Sequence, residues 1–228
     1  MTPTIPFSPG GLMTITRISR RALGAAAAAL ALAAGVGPAV ATGNAYRVAI
    51  GGNSATAAHP ITATTTMSVG WASPTLTWGC TSATVRASAL AAAQAGYPVT
   101  DILRFPTFDF RGCTFPGGAM ATTTAGEWQF HADGPATSGA ADVVEGHLDH
   151  LSLTWRNAVC SITVSGRAAA SFNEATQQLV IEERGFTGDL TTSGVVGCLG
   201  QVRNGQPINL SMRLQLTSPD GDINISGS

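Results

Sequence analysis

Asn209-Leu210-Ser211-Met212-Arg213-Leu214-Gln215-Leu216-Thr217 alternates apolar and polar side chains without a break. Successive side chains of a strand point to opposite faces, so this period of two predicts a β-strand. Leu210, Met212, Leu214 and Leu216 form its core face. Ser211, Arg213 and Gln215 form its solvent face, as in a strand buried on one side.

The same alternation recurs along the chain. Ile61, Ala63, Thr65, Met67 and Val69 alternate with Thr62, Thr64, Thr66 and Ser68. Trp128 and Phe130 alternate with Glu127, Gln129 and His131, and Leu151, Leu153 and Trp155 alternate with Ser152 and Thr154. Turn-forming clusters separate the runs: Gly51-Gly52-Asn53, Pro116-Gly117-Gly118, Asp133-Gly134-Pro135, Asn204-Gly205 and Asp220-Gly221. Short strands with regular turns predict an all-β fold, an antiparallel sandwich or barrel-like structure. Ser88 to Ala95 is rich in Ala and ends at Gly96, the pattern of a short capped helix.

The N-terminal segment reads as an export signal. Arg17, Arg20 and Arg21 precede the apolar run Leu23 to Val36, and Ala39-Val40-Ala41 is an A-x-A cleavage site. The run is shorter than the ~20 residues of a bilayer-spanning helix. Residues 1–41 are expected to be removed, leaving an exported domain, 42–228, that is secreted or associated with the cell envelope and carries no membrane anchor. Ser19-Arg20-Arg21 partly matches a twin-arginine signal.

Residues 42–228 hold nine Arg, no Lys and thirteen acidic side chains, a formal charge of −4. No clustered basic face for nucleic acid is legible, and no polybasic membrane patch.

Cys80, Cys113, Cys160 and Cys198 stand behind that signal and predict two disulfides. Three pairings are open. A weak internal repeat favours one of them. Leu76-Thr77-Trp78-Gly79-Cys80 is followed by Thr84-Val85, and Leu153-Thr154-Trp155 with Cys160 is followed by Thr163-Val164. Each half has its second cysteine after a Gly, in Gly112-Cys113 and Gly197-Cys198. Similar halves, dividing near 135–140 and packed together, would each close their own bridge: Cys80–Cys113 and Cys160–Cys198.

The cysteine order resembles a known pattern. Leu-Thr-x-x-Cys, Phe110 to Cys113, a strand with Trp128, Cys160 before Ile-x-Val, and Gly197-Cys198-Leu199-Gly200 resemble secreted β-rich four-cysteine proteins of high-GC Gram-positive bacteria. The rhythm is similar to that of the exported protein activator of alkane oxidation family. Trp78 and Trp155 match no position in that family. The resemblance implies an exported β domain linked to apolar substrates and supplies no catalytic residues.

Motifs with chemistry are sparse. Glu145, His147 and Asp149 share one strand face and are a candidate metal set, with His150 expected on the opposite face. Asp220, Asp222 and Asn224 have the spacing that opens calcium loops, but Ile225 stands where such a loop needs Gly. Asp109 and Glu127 are a candidate carboxylate pair. No G-x-S-x-G elbow or phosphate-binding glycine motif is present, and spacing selects none of His59, His131, His147 and His150 as a serine partner. Trp128 and Trp155 are expected in the core. Four Phe within eleven residues, Phe105, Phe108, Phe110 and Phe115, are denser than a two-sided strand needs and are expected to present an apolar ligand surface. The expectation is an exported, non-enzymatic binding or surface protein without a cofactor, its ligand apolar, lipid-like or a cell-envelope component. The alternative is a secreted hydrolase using an acidic cluster.

Overall fold

In the computed structural model Leu210, Met212, Leu214 and Leu216 are buried, whereas Ser211, Arg213 and Thr217 are exposed. The structure describes residues 46–55, 57–94, 102–116, 118–137, 139 and 141–227. Residues 1–41, where a cleaved export leader is expected, lie outside the described residues.

Seventeen strands follow one another among the described residues. They are β1 (Tyr46–Ile50), β2 (Ala57–Thr65), β3 (Val69–Ser73), β4 (Leu76–Cys80), β5 (Ser82–Gln94) and β6 (Leu103–Phe105). Next come β7 (Phe108–Arg111), β8 (Thr114–Phe115), β9 (Gly118–Ala119), β10 (Ala121–Thr124), β11 (Trp128–Ala132) and β12 (Val143–Arg156). The last are β13 (Cys160–Asn173), β14 (Gln178–Glu183), β15 (Leu190–Gly197), β16 (Asn209–Thr217) and β17 (Ile223–Gly227).

Antiparallel pairing closes eight strands into a barrel. β2 pairs with β5, β5 with β6, β6 with β11, and β11 with β12. β12 pairs with β13, β13 with β14, β14 with β16, and β16 returns to β2. Closure leaves no free edge in the ring. β1, β17 and the end of β5 form a further ribbon whose Tyr46, Val48, Ile50, Ile223 and Ile225 join the core. Strands from either side of residues 135–140 pair with each other, as β11 does with β12 and β2 with β16.

The inward positions are apolar and the outward ones carry Thr, Ser, Arg, Gln and carboxylates. That is the reverse of a membrane-spanning barrel, whose apolar band faces out. Among the described residues no helix is long and apolar enough to cross a membrane.

Ser88 to Gln94 is strand, not helix. Ala87, Ala89 and Ala91 point inward at period two and are buried, so small side chains serve β5 where it packs inside the ring. Sheet context overrides the helical preference of Ala.

The four Phe are core, not a ligand surface: Phe105, Phe108, Phe110 and Phe115 are 0%, 5%, 9% and 4% exposed. They belong to one string of rings. Phe105 stacks on Phe108 and Phe108 on Phe110; Phe110 meets Trp71, Trp71 meets Trp155, Trp155 meets Trp78, and Trp78 meets Phe115. A barrel interior takes the inward residues of every strand at once, which accounts for the density.

Both bridges form as the repeat predicts, Cys80–Cys113 and Cys160–Cys198, with sequence separations of 33 and 38. No described cysteine is free. Closing loops of this length constrains the unfolded chain by about 4 kcal/mol each in the chain-entropy account. Two disulfides fit an extracellular or other oxidising environment.

Candidate functional site

Two regions on the barrel gather side chains with chemistry outside its apolar core. The first lies on the outer wall where β11 meets β12. His131 and His147 are directly paired across the two strands. Their rings stack, with centroids 5.1 Å apart and planes 16° from parallel. Two residues further along β12 the ladder breaks: the register shifts between Leu148 and Leu151, and His150 takes a φ of 59°. This bulge opposes the Gly166 stretch of β13. Gly166 has a φ of 139°, and a Cβ there would meet the Asp189 carbonyl oxygen at 1.9 Å. A bulge re-aims the side chains beside it. Here Asp149 Oδ2 lies 3.2 Å from His147 Nε2 and 3.8 Å from His131 Nε2.

His147 Nδ1 meets the Asp133 carboxylate. A carboxylate only accepts, so this nitrogen carries its proton toward Asp133. Donor atoms of His131, His147 and Asp149 all lie within 4.8 Å of one another, the one such group among the described residues. His131 is 5% exposed, although it sits on the barrel's outer side. A recess of about 210 Å³ adjoins His147, lined by Asp133, Arg167, Ala169, Glu183 and Asp189.

The expected set is thus partly reassembled. His147 and Asp149 converge, Glu145 stays exposed outside the group, and His131 takes its place. His150 is exposed rather than turned inward, because the bulge breaks the alternation. Asp220, Asp222 and Asn224 do not converge on a cation. Asp220 accepts from His59 Nδ1 at 2.8 Å, Asn224 Nδ2 donates to Gly139 and Glu174, and the Asp222 carbonyl accepts from Gly51 N–H. Asp109 pairs with Arg111 and Glu127 with Arg104, so these two carboxylates do not work as a pair.

Glu174, which sequence reasoning passed over, is 3% exposed. It accepts from the Ile225 backbone N–H and from Asn224 Nδ2, tying the turn after β13 to β17. Burial, opposed by the Ile225 hydrogen bond and aided by the nearby Asp142 charge, pushes its carboxyl up to about 7.

The second region is the end of the barrel that holds both disulfides. Residues 112–116, 118–120, 157–159 and 194–207 gather here with the β3–β4 turn. Thr75 Oγ1 donates to the Gln201 carbonyl at 3.0 Å. The Cys198 N–H donates to the Val159 carbonyl at 3.1 Å. Four consecutive residues have positive φ: Gly197 (73°), Cys198 (59°), Leu199 (54°) and Gly200 (71°). This costs little for Gly but is unfavourable for Cys and Leu. The turn projects Leu199 into solvent at 70% exposure, beside Val196 at 69% and Val159 at 53%. Arg156, Ser161 and Val196 form one row across three strands, and Arg203 is exposed on the next loop. None of the thirteen Asp and Glu falls within residues 110–126, 150–173 or 190–219. The loops at this end hold no carboxylate, although the domain is acidic overall.

No protein-family model matches the chain, and neither a curated protein nor a solved structure matches it.

Proposed function

We propose that the chain is an exported, non-enzymatic binding protein whose disulfide-bearing barrel end docks on an anionic lipid surface. The observation that carries this reading is Leu199, a large apolar side chain held at 70% exposure on a left-handed turn. Val159 and Val196 extend the apolar area, Arg156 and Arg203 flank it, and carboxylates are absent from the surrounding loops. Fully burying one such aliphatic side chain contributes about 1.5–3 kcal/mol. An Arg near an anionic bilayer adds about 1 kcal/mol. The leader ending at Ala41 and the two disulfides support export to the cell surface or medium. The resemblance in cysteine rhythm to alkane-associated exported proteins agrees with an apolar ligand, though it now attaches to other residues than the Phe cluster.

The test is flotation of the full chain with phosphatidylcholine vesicles, with and without phosphatidylglycerol. Wild type should float with the anionic vesicles. Val196→Ser with Leu199→Ser should cut the bound fraction about tenfold, the leader being common to both proteins. Equal binding by the two, or none by either, would contradict the reading.

The hydrolase reading rests on Asp133 and Asp149 converging on His147. Both imidazole nitrogens of His147 face carboxylates, so neither is placed to draw a proton from a Ser or Thr hydroxyl. His59 Nδ1 is likewise taken by Asp220, and its Nε2 is buried without a partner among the described residues. This is why binding is preferred over catalysis. Turnover of a soluble ester or glycoside that disappears in Asp149→Asn would reverse the preference.

A further inference from the structure

We propose that His131, His147 and Asp149 form a binding site for a divalent transition-metal cation, with Asp133 as the residue that positions His147. The inference is independent of the lipid-docking reading and concerns the opposite kind of surface, a polar patch on the barrel wall.

The geometry supports it on three counts. The first is spacing. Metal–nitrogen and metal–oxygen bonds of about 2.0 Å set the edge of a tetrahedral site at about 3.3 Å. The two edges to Asp149, 3.2 Å from His147 Nε2 and 3.8 Å from His131 Nε2, bracket that length, and the edge between the imidazoles is no longer than 4.8 Å. Side-chain adjustments of well under 1 Å along the two edges to Asp149 would bring them to it.

The second is support around the ligands. A metal-bound His almost always gives its other N–H to a carboxylate or carbonyl, which fixes the tautomer and strengthens the ligand nitrogen. His147 has that partner in Asp133, leaving Nε2 on the side of Asp149 and His131. The ligands also sit on strands rather than loops. His131 and His147 are held by the β11–β12 register, and Asp149 by the bulge.

The third is ligand chemistry. Two imidazoles and one carboxylate suit zinc, copper or nickel, whereas calcium and magnesium take all-oxygen sites. Three protein ligands leave a fourth position for water or an incoming group. The recess lined by Asp133, Arg167 and Asp189 adjoins His147, and Asp149 borders an open groove that shares Arg167 and Asp189.

The experiment is calorimetric titration of the untagged, chelator-treated full chain with Zn2+, with Co2+ as a spectroscopic probe. About one equivalent should bind, and Co2+ should give visible absorption bands typical of low coordination number. Asp149→Ala removes a third-exposed ligand and should weaken binding at least tenfold with the circular dichroism spectrum unchanged. Asp133→Asn should weaken it about 10–100-fold while keeping the stoichiometry and the Co2+ bands, as expected for a residue acting through His147. Glu145→Gln, on the same strand face but outside the group, should bind as wild type does. No saturable uptake of either ion, or equal affinity in Asp149→Ala, would overturn the proposal.

Discussion

Trp71 and Trp155 meet edge to face inside the barrel, their ring centroids 4.6 Å apart and their planes at 80°. Trp71 comes from β3 and Trp155 from the far end of β12, so one contact joins strands from either side of residues 135–140. Trp155 is fully buried, and its indole Nε1 has no partner among the described residues.

Trp155→Ala should therefore lower stability by about 3–5 kcal/mol, the usual loss for deleting a buried ring. Trp155→Phe should lose much less, under about 2 kcal/mol, because it keeps most of the ring and removes a buried unpaired donor. Urea unfolding measures both. Similar losses for the two variants would show that the donor, not the volume, governs this position.

Glu174 gives the fold a specific pH dependence. Its carboxyl titrates near 7 when folded against 4.5 as the ordinary value. Between those limits the native state holds a proton that the unfolded chain has released, so stability falls as pH rises. The loss is complete above about 7 and amounts to roughly 3 kcal/mol. Glu174→Gln removes this titration. Its melting temperature should gain on wild type by about 5 °C or more between pH 4.5 and pH 7.5. A constant gap across that range would contradict the burial-driven shift.

Leu199 tests whether exposure is kept at the expense of stability. Glycine is freer than Leu in the left-handed region, although it also loosens the unfolded chain. Leu199→Gly should leave stability unchanged or raise it by up to about 1 kcal/mol, while lowering binding to anionic vesicles. A clear loss of stability would mean that the side chain packs against the protein.

The strands at 209–217, 128–132 and 151–155 were legible because each has one apolar face, and period two shows directly. The disulfide pairing was legible because each half repeats a Trp, a Cys and a later Gly-Cys. Ser88 to Gln94 was not, since Ala fits a helix surface and a crowded barrel wall equally well. The Phe cluster misled because density along the chain does not report how many strands converge on one interior. His147 and Asp149 could be paired from their spacing. His131 could not, because its approach depends on cross-strand register, and Asp149 is aimed by a bulge that alternation alone does not reveal. Leu199 gives no signal in sequence, as its exposure follows from four residues of positive φ in a row.

The central claim, that the disulfide-bearing end of the barrel docks on an anionic lipid surface, is tested most directly by hydrogen–deuterium exchange of the full chain with and without phosphatidylglycerol-containing vesicles. Residues 157–159 and 194–203 should gain protection with anionic vesicles and not with neutral ones, while the outer wall around Glu145 and Glu182 should not change. Protection confined to the N-terminal leader, or spread over the barrel wall with residues 194–203 unaffected, would contradict the account.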